Sequence, residues 1–135
     1  AILYQPSYIS LESALSHYGL IPELVYAKTS VTAKINRSFD NVFGRFIYRH
    51  VKSSIFWGYV PISTQYGQYL IAEPEKAVLD YLYLNLARIR TREDFEEIRF
   101  NIDQLHSILD RDKFSMYLKA FAKPKLEKWA GQCLP

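Results

Sequence analysis

The apolar pattern of this chain changes its period at Ala72, and that change restricts the folds open to it. From Val25 onward apolar and β-branched residues alternate, with Val25, Ala27, Thr29, Val31, Ala33 and Ile35 on one face and Tyr26, Lys28, Ser30, Thr32 and Lys34 on the other. A period of two predicts a strand. Asp40, Asn41 and Gly44 read as a turn leading into a second strand over Phe46 to Val51, and "SIFWGYV" and "QYLIA" read as further short strands. After Ala72 the spacing is helical. Val78, Leu82 and Leu86 recur at i, i+4 and i+8, "TREDFEEIRF" and "NIDQLHSIL" suit shorter helices, and a last helix runs from about Asp112 to Trp129, kinked or divided at Pro124. Strands and helices in separate runs predict an α+β fold.

A short helix precedes the strands. Ser10 stands at its N-cap, Glu12 in its first turn and Gly19 at the left-handed C′ position, while Pro22 prevents continuation. The expected order is an N-terminal short helix, a four- to five-stranded, mainly antiparallel sheet, and C-terminal helices packed on it. With 135 residues, about half of them apolar, the chain suits a single domain with its own core.

Several function classes lose support at this level. No apolar run approaches the roughly 20 residues that a membrane span needs. The start lacks the charged and apolar regions of a signal peptide, and the single cysteine, Cys133, permits no internal disulfide, so a cytoplasmic protein is expected. His17, His50 and His106 show no metal-ligand spacing, no Gly-rich phosphate loop is present, and neither a metal nor a cofactor is expected. The chain starts at Ala1 and its only methionine is Met116, which suggests a piece of a longer product.

Two groups of residues hold chemistry. In "IAEPEKAVLDYLYLN" three carboxylates, Glu73, Glu75 and Asp80, surround Lys76. A metal nuclease needs an acid followed by Glu-x-Lys or Asp-x-Lys, and here Lys76 follows Glu75 directly, so the spacing fails. Pro74 at the first helical position with acids around it reads as a helix start, and Lys76 and Asp80 as an exposed i, i+4 pair. A divergent nuclease would have to draw on Asp40, Glu73, Glu75 and Lys76. The second group is basic: Arg37, Arg45, Arg49 and Lys52 flank a hairpin among Phe39, Phe43, Phe46, Tyr48 and Trp57. Arginines and aromatics on one sheet face suit nucleic acid or a protein partner, and also suit a plain solvated face. The lysines of the last helix, Lys113, Lys119, Lys123, Lys125 and Lys128, fit a wet face opposite its aromatic stripe.

Four stretches in order, "PSYISLESALSHYGLIPE", "TSVTAKINRSFDNVFGRFIYRHVK", "FWGY" and "YLIAEPEKAVLDYLYL", resemble the AbiEi family of antitoxins from type IV toxin–antitoxin systems of viral defence. The resemblance covers about residues 4–86, with 87–135 a helical tail. It implies an antitoxin domain that opposes a nucleotidyltransferase-like toxin, without catalysis and without need of a stable complex. In that family an upstream winged helix binds promoter DNA, and this chain begins where such a domain would end. The same resemblance marks Ser10, Glu12, Glu73, Pro74, Glu75, Lys76 and Asp80 as a structural motif, in which Asp80 is expected to hold a strand or turn by hydrogen bonds. Arg37, Arg45, Arg49, Lys52 and Trp57 are the expected binding residues.

Overall fold

The computed structural model describes residues 5–22, 27–65 and 67–135. The fold is α+β, and among the described residues the strands number six. They are β1 (Ser7–Ile9), β2 (Ala27–Thr32), β3 (Arg37–Asn41), β4 (Gly44–His50), β5 (Tyr59–Thr64) and β6 (Gly67–Ala72), arranged β3-β4-β2-β1-β6-β5. Helix α1 (Leu11–His17) follows β1, and α2 (Pro74–Leu84), α3 (Arg92–Glu96), α4 (Ile102–Ile108), α5 (Arg111–Phe121) and α6 (Pro124–Ala130) follow the sheet.

The sheet differs from expectation in count, and it is mainly antiparallel as expected but mixed. Two hairpins, β3–β4 and β5–β6, are antiparallel, as is β1–β2, whereas β2–β4 and β1–β6 run parallel. The two strands absent from the sequence reading have physical reasons to hide. With three residues, β1 is too short to display alternation, yet it occupies the centre of the sheet. Strand β3 is polar because it lies at the end of the sheet, where one side has no neighbouring strand among the described residues and charged side chains are tolerated. The strand read through Ile35 stops at Thr32, and Thr29, Ser30, Val31 and Thr32 are all buried, so β2 is covered on both faces instead of alternating. Val25 and Tyr26 lie outside the described residues. In "SIFWGYV" only Tyr59 and Val60 are extended, since Ser53–Ile55 forms a 3₁₀ turn and Gly58, at φ +81°, breaks the run.

Helix ends follow the punctuation of the sequence. Gly19 takes φ +72° after α1, with Leu20 N–H donating to the Leu15 carbonyl at 2.8 Å and Gly19 N–H to Ser16 at 3.0 Å, the paired bonds of a Schellman close. Pro124 divides the last helical segment, where Ala122 takes a left-handed conformation between α5 and α6. Thr91 and Asp94 form a capping box on α3. One core joins both halves of the chain: Leu15, Val31 and Leu82 belong to the same buried cluster as Phe95, Leu105, Phe114, Phe121, Leu126 and Trp129. Cys133, two residues from the end of the sequence, is fully buried in it, and burial pushes its thiol up to about 12.

Candidate functional site

At the middle of this fold lies α2, which touches α1, α5 and α6 and buries residues on all sides. Lys76 and Asp80, read from their spacing as an exposed pair, are both 0 % exposed. The correction follows from what other elements bring to them. Lys76 Nζ donates to Asp80 Oδ1 at 2.7 Å, to the Tyr8 hydroxyl at 2.8 Å and to the Ile55 carbonyl at 2.7 Å, which uses all three of its protons. Asp80 Oδ2 accepts from the Tyr8 hydroxyl at 2.7 Å and from Ser10 Oγ at 2.8 Å. Ser10 stands before α1 but makes no side-chain cap there, because its hydroxyl is committed to Asp80.

Aromatic rings close the rest of the lysine's surroundings. Its ammonium lies 4.8 Å from the Trp57 ring centroid and 5.3 Å from those of Tyr8 and Phe121, within cation–π range. Gly58 completes the enclosure, since a Cβ there would stand 2.8 Å from Lys76 Cγ. Burial pushes the Asp80 carboxyl up and the Lys76 ammonium down, each opposed by its partner. The Tyr8 phenol is raised by burial and by Asp80. A lysine with every proton engaged and no exposed surface ties together the elements that supply its partners.

The acids at the start of α2 hold α5. Glu73 accepts from Lys113 Nζ at 2.9 Å and from the Tyr117 hydroxyl at 2.6 Å. Glu75 is 3 % exposed, and its Oε2 accepts the Asp110 N–H at 2.8 Å just before α5, while its Oε1 is buried without a hydrogen-bond partner among the described residues. Both were expected to mark the start of a helix. Pro74 occupies the first helical turn, and Glu12 that of α1. Tyr18 donates to the Ala72 carbonyl at 2.7 Å, and its phenol is pushed up to about 12 by burial and by Glu73 and Glu75.

Burial alone would raise the Glu73 carboxyl, but the hydrogen bonds from Lys113 and Tyr117 and the charge of Lys113 leave it below its ordinary 4.5. A carboxylate depressed by folding stabilises above its unfolded value, and that stability is lost as pH falls through the folded one. Urea midpoints measured from neutral pH downward are therefore expected to drop below about pH 4.5 in the parent chain, with part of that acid loss absent in Glu73→Gln. An unchanged acid limb in the variant would rule out Glu73 as a contributor.

The basic residues do not converge. Directly paired residues share a sheet face, so Arg37, opposite Tyr48, lies on one side of the hairpin, while Arg45 and Arg49 lie on the other with Ile47. Arg37 stacks over Phe39 at 4.6 Å, exposed Arg45 pairs with Asp40 at 3.8 Å, and half-buried Arg49 reaches the Leu84 carbonyl at 3.5 Å. Lys52 is exposed beyond β4. Trp57 is not part of this surface at all: its indole donates to the Ser54 carbonyl at 2.8 Å and its ring meets Tyr117, Phe121 and Lys76. The expected basic–aromatic face is thus split across two sides of a ribbon and one half-buried position away from it.

Among the described residues no three of the His, Cys, Asp and Glu side chains come together as a metal group. Asp40 on β3 and Glu73 after β6 are separated by four strand spacings, about 19 Å at roughly 4.8 Å each. A cleft of about 200 Å³ near the end of α2 is lined by Arg88 and Asp94, but Arg88 donates to Asn85 and Asp94 caps α3. Sequence reasoning missed Tyr8, the Ile55 carbonyl, Gly58 and Tyr117 as members of these networks, and only the presence of Tyr8 and Gly58 inside the quoted stretches could have drawn notice to them. No family model, no curated protein and no solved structure matches the chain.

Proposed function

We propose that this chain is a non-enzymatic antitoxin domain of the AbiEi type, acting in the cytoplasm of a prokaryote against a nucleotidyltransferase-like toxin. The supporting observation is where the resembling stretches meet. Tyr8 and Ser10 come from the first, Trp57 and Gly58 from the third, and Lys76 and Asp80 from the fourth, and together they surround one buried ion pair. Residues of different stretches that depend on one another in this way make a fold signature, which supports reading them jointly. The motif then serves to shape the domain, and antagonism belongs to its surface, with Arg45 and Arg49 on one face as candidates. Promoter binding would fall to an upstream winged helix.

The test is growth rescue. Co-expression of residues 1–135 with a nucleotidyltransferase-like toxin, under separate promoters, is expected to restore growth, and charge reversal at Arg45 is expected to weaken rescue without changing expression. A folded, abundant chain that leaves growth arrested would refute the proposal.

A second reading has one observation behind it. Residues 27–52 hold six of the seventeen basic residues and one of the fourteen acidic ones, a net of +5, so the rest of the chain is slightly acidic. Such a concentration suits nucleic acid, and binding would then weaken steeply with salt, by about one log–log unit per phosphate contact.

A further inference from the structure

The end of the sheet at β3 combines three properties. Val42 and Phe43, at the tip of the β3–β4 hairpin, are 93 % and 85 % exposed, and Ile35, just before β3, is 75 % exposed. A two-residue turn between paired strands ordinarily favours Asn, Asp or Gly, so an apolar Val-Phe tip is unusual.

The second property is the backbone. Asn41 and Gly44 close the β3–β4 ladder, so their peptide groups face each other. Alternation along the strand then turns the N–H and C=O of Ser38 and Asp40 away from β4. The opposite end of the sheet is treated differently. Thr64 and Gly67 close the β5–β6 ladder, which by the same alternation turns residue 61 outward, and that residue is Pro61, with no N–H to offer. Proline at an outward position blocks strand addition, and β3 has no such guard.

The third property is the symmetry of the residues about Phe39. An antiparallel partner centred there sets Ser38 against the partner's Asp40, so each pair exchanges its outward peptide hydrogen bonds. Within β3 the same register sets Arg37 against the partner's Asn41 and Phe39 against the partner's Phe39, and it brings the exposed tip of each hairpin to the end of the partner's strand that follows Ile35. The exposed apolar residues of the two copies thereby meet at each end of the joint, and within β3 no like charges stand directly opposite.

We propose that two copies of this chain associate through β3, antiparallel about Phe39, joining their sheets into one. The occupant is a second copy because the apolar residues complement one another in the one register that also satisfies the outward peptide groups. A five-residue edge makes a small contact and hence a weak dimer. Since both hairpins are basic, added salt screens their repulsion and strengthens the association, the opposite of the response expected for nucleic acid.

Sedimentation velocity from micromolar to millimolar protein tests this. The expected result is a shift from 15.8 kDa to twice that mass, favoured by salt. Ser38→Pro removes an outward donor while leaving the β4 ladder intact, and should abolish the shift. Phe43→Ser, at an exposed turn position that endangers folding least, should raise the dissociation constant about tenfold. A monomer at every concentration would overturn the proposal. So would a dimer indifferent to both substitutions, or a Phe43-dependent complex with duplex DNA or anionic vesicles in place of the dimer.

Discussion

Asp80→Ala is expected to destabilise the chain by about 3–5 kcal/mol, the range for removing one partner of a buried ion pair. The substitution leaves the Lys76 ammonium enclosed by Trp57, Tyr8 and Phe121 with only Tyr8 and the Ile55 carbonyl as acceptors, and it strips the Tyr8 and Ser10 hydroxyls of theirs. Domains of this kind unfold at only about 5–15 kcal/mol, so urea titration should show a much lower midpoint or no cooperative transition. Replacing both charges together, Lys76→Met with Asp80→Leu, removes the unpaired ion and should recover much of the loss. A single variant as stable as the parent would mean that the pair contributes nothing to the fold.

Gly58→Ala is the second change with a large expected effect, about 2–5 kcal/mol from two sources. At φ +81° a Cβ costs about 1–2 kcal/mol of backbone strain. It would also stand within about 3 Å of Lys76 Cβ, Cγ and Cδ, a stem that cannot swing aside because three hydrogen bonds fix its end, and overpacking of this kind costs about 1–3 kcal/mol. The two sources separate experimentally. In a Lys76→Ala background the strain remains and the clash is gone, so Gly58→Ala should cost less there. Equal costs in both backgrounds would remove the lysine from the explanation.

The fold class was legible because periodicity survives in single segments: β4, β6 and α2 announce themselves, and Gly19, Pro74 and Pro124 mark helix ends by local chemistry. What stayed hidden depends on company. Lys76 and Asp80 look like a solvated pair because i, i+4 spacing states only that two side chains are neighbours. Their burial is decided by Tyr8, Ile55, Trp57 and Phe121, which arrive from three other places in the chain. Arg37, Arg45 and Arg49 looked like one surface because they are close in sequence, but strand parity sends Arg37 to the opposite face. Glu73 and Glu75 were correctly seen to begin a helix, while their second task, holding α5, needed knowledge of where Lys113, Tyr117 and Asp110 would lie.

The enclosure of Lys76 also sets an order on the making of the protein. Its first polar partners, Tyr8 and Ile55, leave the ribosome ahead of it and Asp80 four residues later, but the Phe121 ring lies 45 positions downstream. Until that ring has been synthesised and α5 has docked, α2 cannot be sealed on all sides. A nascent chain ending before Phe121 holds Lys76 on its polar partners and on the Trp57 and Tyr8 rings, with the Phe121 side of the enclosure still open. Any truncation upstream of that point would therefore discard more than a tail, because the last ring of the lysine's enclosure comes from the part removed.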